Sequence, residues 1–89
     1  MTYEKEIEIE REKIDEIDNE IIKKILERVK ICGKIGEIKK KYNVPVSDTK
    51  RERAILNKVK EISLKRNLPS RNFMRIFRDI ISLCRNKEK

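Results

Sequence analysis

Seven charged residues, Arg11, Arg28, Lys39, Asp48, Arg51, Glu52 and Glu88, stand out because they fall on or beside apolar helical faces. With Ile14 set at zero and about 100° of rotation per residue, Ile17, Ile21, Ile25, Cys32 and Ile35 share one sector of a helix. Arg28 and Lys39 lie inside that sector, at about −40° and −20°. Asp18 and Arg11 flank it at about +40° and +60°, and Glu10 also falls within it. Further along, Asp48, Arg51 and Glu52 share a face with Ile55, Val59 and Ile62. Cys84 and Glu88 continue the Phe73–Phe77–Ile80 face. An unpaired buried charge costs several kcal/mol, so inward-facing cations need a reason.

Two readings of these charges are open. In one, they snorkel outward or form structural ion pairs inside a helical bundle. In the other, they line a cation-rich pocket, with one or two acids, that takes a small anion. Arg28 and Lys39 are eleven residues apart, about 16 Å along a helix, so both can reach a ligand lying between them. Arg11 precedes Arg28 by about 25 Å of helix and is rotated from it by about 100°. It cannot reach the same pocket in its own chain; a functional Arg11 would serve a partner's pocket.

Other chemistries are excluded. The chain has no histidine, which removes histidine acid–base catalysis, histidine triads and histidine metal ligands. Cys32 and Cys84 form no paired CxxC motif, so zinc is not expected; two reduced thiols are expected, with a single disulfide as the alternative. Gly33 and Gly36 lie within a helical pattern, not in a phosphate-cradling loop. The segment Met1–Arg11 is charged throughout, unlike a signal peptide. No apolar run approaches the roughly 18 residues of a membrane span, and a cytoplasmic location is expected. The formal charge of +8 raises nucleic-acid binding by a basic helical dimer as the alternative function. Against it, acids are interleaved with the basic residues on every helix, and aromatic residues for base stacking are nearly absent.

The elements that must position these residues are three helices in a single all-α domain spanning 1–89. The spacing predicts helices over about 3–42, 48–66 and 69–87. The first carries one apolar stripe from Ile7 to Ile38. Pro45 ends that helix, Ser47 or Asp48 caps the second, and Pro69 suits the first turn of the third. Charged residues make up 45% of the chain, a level near that of disordered chains, but helical repetition of isoleucine argues for folding. The first helix spans nearly 57 Å, about twice the length of the others. They cannot cover its stripe, so helices from a second copy are expected to do so by twofold symmetry.

The pattern Arg11…Asp18…Arg28…Lys39…Val44-Pro45-Val46…Asp48…Arg51-Glu52-Arg53…Cys84…Glu88 resembles the all-helical chorismate mutases, from about Ile7 to Glu88. Pro45 to Arg53 is the most specific part. The resemblance implies an intertwined homodimer with two sites, each built from both chains, that rearranges chorismate to prephenate on the route to phenylalanine and tyrosine. That pericyclic reaction needs no metal or cofactor. By resemblance, Arg28 and the partner's Arg11 hold carboxylates, with Arg51 nearby. Lys39 donates to the ether oxygen, Glu52 with the Asp48 region holds the ring hydroxyl, and Asp18 is structural. Glu88 stands where relatives carry Gln or Glu. Cys84 replaces a small polar residue; it is a weak donor toward substrate or else a small core hydrophobe. Since the sequence stops one residue past Glu88, the single-domain form without a fused dehydratase or dehydrogenase is expected.

Overall fold

Helix ends are set by local chemistry. The computed structural model describes residues 2–89, and its elements are α1 (Tyr3–Lys41), α2 (Thr49–Lys65) and α3 (Ser70–Glu88). Thr2 caps α1 by accepting from the Lys5 amide, with Glu4 and Glu6 in the first turn and Lys39, Lys40 and Lys41 in the last. Those charges suit the helix dipole at both ends. Asp48 caps α2 by accepting from the Arg51 amide at 3.0 Å. Of the two capping candidates read from the sequence, Asp48 is the one that acts. Pro69 sits at the N-cap of α3 instead of inside its first turn.

α1 and α2 close in the same way. Asn43 and Asn67 adopt positive φ, 56° and 57°, a left-handed geometry that asparagine tolerates. The next amides turn back onto the helices: Val44 N–H donates to Lys39 O at 2.8 Å and Leu68 N–H to Ser63 O at 2.9 Å. Both are Schellman closures. The first folds the Pro45–Val46 segment back beside Lys39.

α3 packs against the C-terminal half of α1 and against α2. The small core lies along these seams, at Cys32 of α1, Val59 and Ser63 of α2, and Ile81 and Cys84 of α3. Buried Ser63 satisfies its hydroxyl by donating to Lys60 O at 2.8 Å.

The N-terminal half of α1 projects away from this core. Ile7, Ile14, Ile17 and Ile21 are all exposed there, with Ile17 at 55%. The chain measures 62 × 26 × 14 Å with a radius of gyration of 17.3 Å, where a compact chain of this length has about 12 Å. Its accessible surface is 7911 Å², against about 5,500 Å² for a compact monomer of this mass.

Candidate functional site

A cavity of about 260 Å³ opens where the C-terminal half of α1, the start of α2 and the last turns of α3 meet. α1 contributes Arg28, Cys32 and Lys39, about one and then two turns apart. The Schellman closure brings Val46 and Asp48 to the rim, and the first turn of α2 adds Arg51 and Glu52. α3 supplies Cys84, Arg85 and Glu88, with Glu88 about one turn after the other two. Ile31, Ile35, Ile55 and Ile81 form the apolar walls.

The half-buried charges Arg28, Lys39, Glu52 and Glu88 each have a partner within the chain. The Lys39 ammonium donates to Glu88 Oε1 at 2.7 Å and to the Val46 carbonyl at 2.8 Å. Both ends of that ion pair are largely buried, at 18% and 13% side-chain exposure. Arg28 Nη1 donates to Cys84 Sγ at 2.7 Å. Arg85 Nη2 pairs with Glu52 Oε1. The Arg51 guanidinium has no ion-pair or hydrogen-bond partner among the described residues. Burial pushes the Cys32 thiol up from 9.0 to about 11, helped by its hydrogen bond with Cys84 and only partly offset by the Arg28 charge. Both cysteines are free thiols, and Cys32 stays neutral near pH 7.

The cavity therefore holds four cations, Arg28, Lys39, Arg51 and Arg85, against three carboxylates, Asp48, Glu52 and Glu88. It presents donors from several directions around an apolar-walled space, which suits a small ligand carrying more than one negative group. No group of three or more metal-binding side chains occurs among the described residues.

Of the candidates read from the sequence, Arg28, Lys39, Asp48, Arg51, Glu52, Cys84 and Glu88 line this one cavity. Arg11 does not. It lies on the projecting half of α1, exposed among Glu4, Glu8, Glu12 and Asp15. Asp18 is exposed on the same half. Two participants escaped the sequence reading. Arg85 sits four residues after Ile81 and three before Glu88, so the search for charges on apolar faces would have found it on α3. The Val46 carbonyl is a backbone acceptor and carries no signal in its residue type.

The chain matches the family model described as chorismate mutase type II over residues 10–89. It is 39% identical over 82 residues to a bifunctional chorismate mutase/prephenate dehydratase of Aquifex aeolicus, a match covering 89% of this chain and 23% of that protein. It is 37% identical over 71 residues to a chorismate mutase of Methanocaldococcus jannaschii, covering 80% of this chain and 72% of the relative. Among solved structures, a conserved hypothetical protein from Pyrococcus furiosus superposes with a TM-score of 0.77 at 31% identity, covering 93% of this chain and 95% of that one. The chain thus spans less than a quarter of the Aquifex relative and most of the Methanocaldococcus one.

Proposed function

The chain belongs to the chorismate mutase type II family, and on that premise we propose that it rearranges chorismate to prephenate, in aromatic amino acid biosynthesis in the cytoplasm. The observation that carries this reading is the convergence of Arg28, Lys39 and Arg51 on one apolar-walled cavity. Chorismate is a dianion, and its rearrangement breaks a C–O bond as a C–C bond forms within the same molecule. The protein has to hold the compact, chair-like geometry and stabilise negative charge that grows on the ether oxygen.

The roles are those the family resemblance implies, and the charges in the cavity are compatible with them. Arg28 and Arg51 take carboxylates, and Lys39 donates to the ether oxygen. Glu52, steadied by Arg85, accepts from the ring hydroxyl beside Asp48. Glu88, in its acid form, donates to the same ether oxygen as Lys39. Substrate entry therefore exchanges the Lys39–Glu88 pair for two donors aimed at one oxygen. Cys84 orients Arg28 through the bond to its sulfur.

The working form in this reading is a homodimer. The family resemblance assigns a substrate carboxylate to the partner's Arg11, which in its own chain lies away from the cavity. The surface beyond that of a compact monomer, about 2,400 Å² per chain, is of the size that obligate dimers bury. The exposed isoleucines of α1 lie on that surface.

The test is the fall in chorismate absorbance on adding purified protein, with no metal or cofactor supplied. Saturable loss that Arg28→Ala abolishes is the expected result. Unchanged chorismate would refute the assignment. Nucleic-acid binding finds no support from the family or from the cavity, where Arg28, Lys39 and Arg85 are all engaged by their own chain. No helix is long and apolar enough to cross a membrane among the described residues.

A further inference from the structure

Gly36 lies within α1, five residues before its last residue, is buried, and its φ is not positive. Backbone freedom therefore does not explain a glycine there, and helix propensity favours alanine strongly at such a position. What the position requires is space. A β-carbon built on Gly36 would stand 2.5 Å from the carbonyl oxygen of Glu88, 2.7 Å from its Cα and 3.0 Å from its carbonyl carbon. These are backbone atoms of the last turn of α3, so no side-chain rotation relieves the contact. Favourable carbon–oxygen contacts sit at about 3.3–3.6 Å, so alanine would drive that turn back by about 1 Å.

We infer that Gly36 is a positioning residue: it is the seat in α1 that receives the Glu88 backbone, so that the Glu88 carboxyl enters the substrate cavity beside Lys39. The same stretch of α1 then holds one residue twice. Gly36 admits its main chain, and Lys39, three positions on, bonds its carboxylate at 2.7 Å. A retreat of about 1 Å takes that bond beyond hydrogen-bonding distance. The seat also accounts for the burial of Glu88 in the last turn of α3, where helices ordinarily fray. Gly33 is a natural contrast. A β-carbon there would meet only the Lys87 side chain, with Cε at 3.2 Å, and that flexible chain can move aside.

The inference rests on the assignment of Glu88 to the chorismate site, and the test separates the two. Gly36→Ala, Gly33→Ala, Glu88→Ala and the Gly36→Ala/Glu88→Ala double variant are assayed on chorismate, and amide exchange is followed over Arg85–Lys89. Gly36→Ala should lower kcat/KM about 10- to 100-fold and lose protection in the last turn. Gly33→Ala should behave as the parent. In the Glu88→Ala background, Gly36→Ala should cost little more, because the group it positions is already gone. Parental activity and protection in Gly36→Ala, or fully multiplicative losses in the double variant, would overturn the inference. Should Gly36→Ala fail to fold, exchange in the parent still decides: amides of Arg85–Lys89 that exchange like a free peptide would mean that no seat exists. A parent that turns over no chorismate would refute the functional assignment instead, while the exchange data would still report on the seat.

Discussion

Lys39 is the residue on which charge and shape can be separated. Methionine nearly matches its length but carries no charge and no donor. Lys39→Met leaves the largely buried Glu88 carboxylate without its partner, so a loss of about 1–3 kcal/mol in stability is expected with the fold retained. Activity should fall at least about 10²-fold, the scale of one lost donor to a developing oxyanion. Urea titration and chorismate turnover check both, and an active variant would remove the lysine from its role. Glu88 gives a second test by substitution. Glutamine is a neutral donor of the same length, so Glu88→Gln should remain active, whereas Glu88→Ala should lose most turnover. A fully active Glu88→Ala would take Glu88 out of the site. Seven of the eight candidate binding residues could be found by asking which charges share a face with isoleucines, a question that helical period alone answers. The pairing of those charges could not, because Arg85 and Glu52 are 33 residues apart in sequence, and which carboxylate meets which cation is set by how α3 lies against α2.

Packing between elements explains what the helical pattern left unread. The boundaries of α1, α2 and α3 were legible to within a residue because proline, asparagine and aspartate mark them locally. The close approach of α3 to α1 at Gly36, and the meeting of Cys32 with Cys84, depend on the mutual placement of two helices and have no local signature. The thiols offer a test of that seam. Cys32 is held in its neutral form, with its titration raised from 9.0 to about 11, chiefly by burial. The folded state thus binds the proton more tightly than the unfolded chain does. Its contribution is fully present below about pH 9 and is lost as pH rises toward 11. Relative to Cys32→Ala, the parent should lose stability across that window, on the order of 2–3 kcal/mol in all. Denaturant midpoints measured at pH 8, 9 and 10 for the two proteins would show it. Parallel curves would mean that the thiol is not shielded between α1 and α3.

At the scale of the whole molecule, one chain is incomplete in two ways. Its longest helix carries an uncovered isoleucine stripe, and its Arg11 stands apart from its own cavity. A second copy answers both, which is why the sequence alone already called for one: no helix of the chain is long enough to cover α1. Folding and association should then be linked, so the thermal midpoint is expected to rise with protein concentration. A midpoint independent of concentration, with a monomer in sedimentation, would undo the dimer. The most direct test of the shared site combines two inactive variants. Arg11→Ala and Lys39→Ala should each be nearly inactive alone. In a dimer formed from one of each, one site carries both lesions and the other carries neither. Random pairing of equal amounts puts half the chains' dimers in the mixed form, each with one intact site, so co-refolding should restore roughly a quarter of the parental chorismate turnover. No recovered activity, with mixed dimers shown to be present, would contradict a pocket completed by the partner's Arg11.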